Sequence, residues 1–280
     1  MRPRIIDYLN HISGSGIFGY LIPDPAVIYA ITLGLGLLLF IRRCNSRELE
    51  FRHSSGMALW AVLSGMIGAR LFFLIQNIGM VIENPSILYE INGATVSFGA
   101  YLGGIAGFTG YCIVRKIPPW NYLDTAASAL GIGPMIGRLA CFLNGDDYGT
   151  LSNVAWAVRY PHGSYPFMDQ VASGKLDPMS DLSLPVHPVQ LYCCIKGLLL
   201  LVLFTYLWNK QLFRPGVLFF LFFMSYSVCR FFLEFFRGDE DRGWVGPIST
   251  GQFMSLIIIL ISVAGIILIG RKKYKTVAVS

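Results

Sequence analysis

The stretch Gly137-Arg138-Leu139-Ala140-Cys141-Phe142-Leu143-Asn144-Gly145-Asp146-Asp147-Tyr148-Gly149 decides how this chain is read. It begins as the end of an apolar run that already contains an arginine, and it finishes in a polar turn rich in glycine and aspartate. A guanidinium on an apolar helix costs several kcal/mol in a bilayer by insertion scales unless it is solvated or paired. The stretch therefore reads as a membrane helix that ends in a site.

Composition supports the membrane reading. Of the 280 residues, 54% are hydrophobic and 14% charged, whereas a soluble domain has about a quarter of its residues charged. The net charge of +6 could serve a nucleic acid. In a membrane chain, however, basic residues gather in cytoplasmic loops and meet anionic headgroups, so no nucleic-acid partner is expected. Cys44, Cys112, Cys141, Cys193, Cys194 and Cys229 lie mostly in or beside apolar runs without a CxxC pair. That pattern indicates neither a disulfide framework nor a metal site, and no cofactor is expected.

Working outward, an apolar run from Pro23 to Phe40 ends in Ile-Arg-Arg rather than a small-residue cleavage site, so it reads as a retained first span. Further spans of bilayer length are expected near 56–75, 95–114, 122–143, 187–208, 215–236 and 250–270. The fold class is an all-α membrane protein with seven transmembrane helices, residues 1–280 forming a single polytopic domain.

Basic residues set the orientation. Arg42, Arg43, Arg47, Arg52, Arg115, Lys116, Lys210, Arg214, Arg271, Lys272, Lys273 and Lys275 fall on one side. Arg2, Arg4, Arg159, Lys175, Arg237 and Arg242 fall on the other. The more basic side is cytoplasmic, which puts the N-terminus outside and the C-terminus in the cytoplasm. The longest loop, about 144–186, then lies on the outer face. Its Trp156, Tyr160, Pro161, Tyr165, Pro166 and Phe167 predict an ordered segment rather than a linker.

Four basic residues fall inside spans: Arg70, Arg138, Lys196 and Arg230. Lys196 is read as snorkelling on its long stem toward the outer interface. Arg70 either anchors its helix at the interface or faces the bundle interior. Arg230 is followed by Glu234 at i+4 and Arg237 at i+7, which places all three on one helical face. The excess of positive charge there, added to Arg138, points to an anionic ligand, since a planar guanidinium binds phosphate bidentately. His187-Pro188 opens the fifth span, proline being suited to a first turn. His187 reads either as a solvated interface residue or as a member of the site.

These residues resemble the bacterial prolipoprotein diacylglyceryl transferase family. The resemblance is carried by Gly137-Arg138-Leu139, Asn144-Gly145-Asp146 and Gly149, by His187-Pro188-Val189-Gln190-Leu191-Tyr192, and by Tyr226 with Arg230 through Arg237. Ile248-Ser249-Thr250-Gly251-Gln252, Gly68-Ala69-Arg70-Leu71 and Asp124 also match in order, and the similarity runs from about residue 23 to 270. It implies a seven-helix enzyme of the bacterial inner membrane that moves the diacylglyceryl group of phosphatidylglycerol to the lipobox cysteine of a preprolipoprotein signal peptide, releasing glycerol phosphate. It further implies catalytic roles for Arg138, Arg230, Glu234 and Tyr226. Substrate-binding roles fall to Arg138, Asn144, Gly149, His187, Gln190, Arg70 and Arg237, in contact with membrane lipid.

The chain departs from the family pattern at four places. Gly99 stands where a histidine regarded as a candidate base is usual, Cys141 replaces an asparagine, Asp146 replaces a glutamate, a milder change, and Cys193 replaces an acidic residue after Tyr192. Three readings stay open on the sequence: the transferase, a diverged member that binds anionic phospholipid but acts on another acceptor or has lost catalysis, and a transporter. The absence of an internal repeat and the charges gathered in the outer half speak against transport.

Overall fold

The computed structural model describes residues 25–89, 97–239 and 242–271. Arg2, Arg4, Lys272, Lys273 and Lys275, on which the orientation partly rests, lie outside the described residues, as does the start of the span expected from 95. Ten α-helices carry the described chain: α1 Pro25–Asn45, α2 Phe51–Gln76, α3 Ile78–Glu83, α4 Ser97–Arg115, α5 Trp120–Ala129, α6 Ile132–Asn144, α7 Tyr165–Ala172, α8 Val189–Lys210, α9 Val217–Leu233 and α10 Thr250–Arg271. A short antiparallel hairpin of β1 Trp244–Val245 and β2 Ile248–Ser249 precedes α10.

The protein is an all-helical, multi-pass membrane protein. Among the described residues, six helical segments are long and apolar enough to cross a bilayer: Val27–Asn45, Phe51–Gln76, Trp120–Asn144, Val189–Lys210, Val217–Phe236 and Thr250–Arg271. Large apolar side chains such as Leu199 and Leu260, 64% and 70% exposed, point away from the protein. So much outward apolar surface suits lipid and is penalised by water. The expected span 122–143 proves to be two helices, α5 and α6, interrupted at Leu130-Gly131.

The chain divides into two compact units, 1–38 with 124–280, and 39–123. In the second, α2 and α4 pack on each other through glycines at very close range. A Cβ on Gly99 would lie 2.3 Å from the Gly68 carbonyl oxygen and 2.6 Å from Phe72 Cβ. Position 99 therefore has no room for any side chain. The departure from the family's histidine has a packing reason: the backbones of α2 and α4 occupy the space an imidazole would need.

In the larger unit, α8 packs against α6 and α9, and α9 against α10. Leu200 and Phe204 of α8, Leu218 and Phe222 of α9 and Ala127 of α5 form one buried cluster. Asp124 on α5 accepts hydrogen bonds from the Gly216 and Phe219 amides at 2.7 and 2.8 Å, satisfying donors at the start of α9 that the helix itself leaves open. At α10, Ser249 and Gln252 bond reciprocally: the Gln252 amide donates to Ser249 Oγ and the Ser249 amide to Gln252 Oε1, both at 3.1 Å. This is a capping box, and it explains the Ser-Thr-Gly-Gln run.

The loop 144–186 packs on itself. Tyr148, Tyr160 and Val186 make its buried core, α7 lies within it, and Val158 and Val186 exchange backbone hydrogen bonds at 3.0 Å.

Candidate functional site

The site is built where α6 ends. Gly145, at φ +79°, stops the helix and its amide donates to the Cys141 carbonyl at 2.9 Å, the usual left-handed glycine stop. Two residues on, Asp147 takes φ +52°, a conformation that aspartate tolerates better than most side chains. The reversal turns the Asp147 carboxylate back onto the helix, where Arg138 Nη1 donates to Oδ2.

The next residues thread between two other segments. The Thr150 amide donates to the Phe236 carbonyl at 2.8 Å, the Gly238 amide to the Tyr148 carbonyl at 3.0 Å, and the His187 amide to the Thr150 carbonyl at 2.9 Å. Gly149 sits at the crossing, where a Cβ would lie 2.2 Å from the His187 carbonyl oxygen. Its role is to let three backbones meet. That meeting brings Arg237 to Asp147, with Arg237 Nη2 donating to Asp147 Oδ1.

Around this bridge stand further charges. Arg237 also donates from Nε and Nη2 to Asp239 at 2.9 and 2.5 Å. Glu234 is 1% exposed; its Oε2 lies 3.0 Å from Arg230 Nη2 and its Oε1 4.0 Å from Arg237 Nε. Neither contact has hydrogen-bond geometry, since both carboxylate oxygens count as unbonded, so these are ion pairs held by position. A Cβ on Gly251 would lie 2.9 Å from the Glu234 carboxylate, so α10 forms the wall behind it. Arg242 Nη1 donates to the Glu234 and Arg237 carbonyls at 3.1 and 2.9 Å, and its guanidinium lies 4.4 Å from the Trp244 ring centroid.

The electrostatics follow from this crowding. Burial alone would raise the Asp147 carboxyl, but Arg138, then Arg237 and Arg230, hold it below the ordinary carboxylate range. Asp146 moves the other way, raised by burial and then by the charge of Asp147. Burial works against the charge of Arg237, yet Asp239 and Asp147 hold its guanidinium more firmly protonated than usual.

Of the residues expected from the sequence, Arg138, Arg230, Glu234 and Arg237 come together, with Asp147 between them. Tyr226 lies one turn before Arg230 and stacks on Phe222 at 6.3 Å. Asn144 is the last residue of α6, directly before the left-handed Gly145. Gln190 Nε2 donates to the Asp146 carbonyl at 2.7 Å and to Tyr160 Oη at 3.1 Å, so it holds the turn in shape. His187 Nδ1 lies 3.1 Å from Tyr192 Oη, which accepts from Trp156 Nε1 at 2.7 Å. The imidazole rests edge-on against Phe236, 5.2 Å between centroids. Arg70 belongs to the smaller unit, where its Nη2 donates to the Ile87 carbonyl and its guanidinium lies 5.3 Å from the Phe73 ring.

One correction concerns charge. Lys196 does not snorkel: it is 7% exposed, with Nζ 3.9 Å from the centroid of the Tyr226 ring. The pivotal acid of the turn is Asp147, which the residue pattern did not single out. Asp239 and Arg242 were missed as well, although the run Gly238-Asp239-Glu240-Asp241-Arg242 directly after Arg237 was a signal. Cys141, in place of the family's asparagine, lies 3.3 Å from Tyr29 Oη and 4.0 Å from Arg138 Nη1, so that departure touches the guanidinium itself.

A family model described as prolipoprotein diacylglyceryl transferase matches residues 22–268. A phosphatidylglycerol–prolipoprotein diacylglyceryl transferase of Clostridium tetani is 29% identical over 264 residues, 94% of this chain and 96% of that protein. One from Thermus thermophilus is 32% identical over 258 residues, 84% of this chain and 90% of its own length. A protein of Clostridium perfringens named as the second such transferase is 28% identical over 255 residues, 88% and 91% of the two chains.

Proposed function

The chain belongs to the prolipoprotein diacylglyceryl transferase family, and from that premise we propose that it moves the diacylglyceryl group of phosphatidylglycerol to the lipobox cysteine of a preprolipoprotein. The relatives' names supply donor and acceptor. The structural observation that carries the reading is the gathering of Arg138, Arg230 and Arg237 around the one carboxylate of Asp147.

The chemistry uses that charge. The acceptor sulfur forms a bond to the terminal glycerol carbon of the donor while the bond from that carbon to the phosphate oxygen breaks. The electron pair leaves with the phosphate, the thiol proton is released, and the product glycerol phosphate carries one more negative charge than the diester. Donors aimed at a growing charge in a dry site are the strongest form of stabilisation available. Arg138 holds Asp147 through Nη1, leaving the rest of its fork for phosphate. Arg230 is fixed by Glu234 through Nη2 and offers its other nitrogens. Arg237, engaged by Asp147 and Asp239, frames the site. Tyr226, one turn from Arg230, lies beside the reacting group, while Asn144, Gly149, His187 and Gln190 shape the turn. Arg70 is retained as a further donor contact on the family resemblance.

We read the chain as seven spans in one polytopic domain of the bacterial inner membrane, N-terminus outside and C-terminus cytoplasmic. The nineteen-residue α4 supplies the seventh span. Arg214 Nη1 donates to the Gly270 carbonyl at the end of α10 at 3.0 Å, which supports placing the basic loop after α8 and the end of α10 on one side. The Asp147 cluster then belongs to the outer half.

A second reading is favoured by Gly99, whose packing excludes the family's histidine: a member that binds anionic phospholipid but acts on another acceptor or has lost catalysis. Reconstitution in phosphatidylglycerol vesicles with a lipobox peptide separates the two. Thioether product detected by mass spectrometry, abolished by Arg138→Ala, supports the transferase. Lipid binding without product supports the second reading, and full activity in Arg138→Ala rejects the site.

A further inference from the structure

We propose that Lys196 is a third phosphate-binding cation of this site, contacting the phosphoryl group of an anionic phospholipid together with Arg138 and Arg230. The inference rests on the donor reading above and adds a residue that neither the family motifs nor the comparisons mark.

Among the described residues, the cations around the cluster are paired except at this position. Arg138 has Asp147, Arg230 has Glu234, and Arg237 has Asp147 and Asp239. Arg242 spans two carbonyls and an indole. Lys196 is 7% exposed, yet among the described residues no carboxylate pairs with its ammonium. Among the described residues its direct partner is the face of Tyr226, 3.9 Å away. A cation over a phenol ring is stabilised, but far less than burial of an uncompensated ammonium costs. The missing counter-charge is an anion that arrives from outside the chain.

Geometry says where it sits. Lys196 is on α8, which packs on both α6 and α9. The charges of Arg138 from α6 and Arg230 from α9 act on it, as do Cys193 and Cys229. Arg138 likewise feels Cys193 and Tyr226. Three cations from three packed helices thus act on one another, with Asp147 and Glu234 already committed to the two arginines. A phosphate diester placed there meets all three, and the charge it gains as the bond to carbon breaks is shared with Lys196.

The test is binding of short-chain phosphatidylglycerol and of glycerol phosphate to the purified full-length protein in detergent, by calorimetry. Lys196→Met keeps the stem and removes the charge. It is expected to weaken both ligands by about tenfold, the loss of one charge-assisted hydrogen bond, and Lys196→Arg to recover most of it. A Lys196→Met protein that unfolds at the wild-type temperature and binds within about twofold of wild type overturns the proposal. So does one whose turnover falls while its affinity stays, since that marks a proton-transfer role. If Lys196→Met does not fold, magnetic-resonance detection of contact between Lys196 Nζ and lipid phosphorus decides on the wild-type protein in phosphatidylglycerol bilayers: contact supports the assignment and its absence rejects it. All of these readouts except turnover report binding. A wild-type protein that binds the lipid without making thioether ends the transferase reading and leaves Lys196 standing.

Discussion

Asp147 accepts from Arg138 through one carboxylate oxygen and from Arg237 through the other. A single side chain thereby ties the end of α6 to the segment that follows α9, two places 90 residues apart in sequence. Its side chain keeps 29% exposure, so the pair is fairly well shielded without being sealed. Asp147→Asn should lower transferase activity by about tenfold or more and destabilise the protein by about 1–3 kcal/mol, because Arg138 loses its counter-charge and Arg237 one of its two. Activity in vesicles and thermal unfolding in detergent check both parts.

The two neighbouring aspartates should respond to pH with opposite sign. Asp147 has a folded pKa below its unfolded value, so its contribution is present above about pH 4 and lost as pH falls through the lower folded value. Asp146 has a folded pKa above its unfolded value, so ionising it at neutral pH works against folding. Asp146→Asn should therefore be neutral or stabilising at pH 7, and Asp147→Asn should flatten the acid arm of the stability profile. Unfolding temperatures across pH 3–8 test the contrast, and equal losses in the two variants would contradict it.

Restoring the family's histidine at position 99 should not help. The Gly68 carbonyl 2.3 Å from a Cβ there forces α2 and α4 apart, and overpacking of this kind costs about 1–3 kcal/mol or more. Gly99→His should express poorly and unfold earlier, with no gain in transfer. Expression yield, unfolding temperature and activity read this out.

Gly251→Ala should mimic damage to Glu234. The added methyl, 2.9 Å from the buried carboxylate, pushes Glu234 off Arg230. Activity should fall by about tenfold, as when a positioned donor is misaligned, while the capping box at Ser249 and Gln252 keeps α10 formed. The variant should keep its helix content by circular dichroism and lose turnover.

Much of this was readable in the residues. Long apolar runs marked the spans, because a bilayer demands about twenty apolar residues and internally satisfied backbone. Arg138 and Arg230 stood out because a charge in such a run has to find a partner, and Arg230, Glu234 and Arg237 could be grouped because their spacing follows one helical face. Gly99 could be seen as a departure, although its cause could not, since the cause is the distance between two helix backbones.

What the sequence determined by itself is the membrane class and the approximate placement of the apolar spans, set by composition and hydropathy, and the family, carried by the resemblance of its ordered motifs. Tertiary structure alone decided which acid serves which cation. Asp146 and Asp147 are adjacent and chemically alike, and only the left-handed turn at Asp147 aims it at Arg138 and Arg237. Lys196 had the look of a snorkelling lysine until the packing of α8 against α6 and α9 buried it over Tyr226. Pairing of charges is a long-range property, fixed by which segments meet in space, and neighbours in sequence carry little record of it.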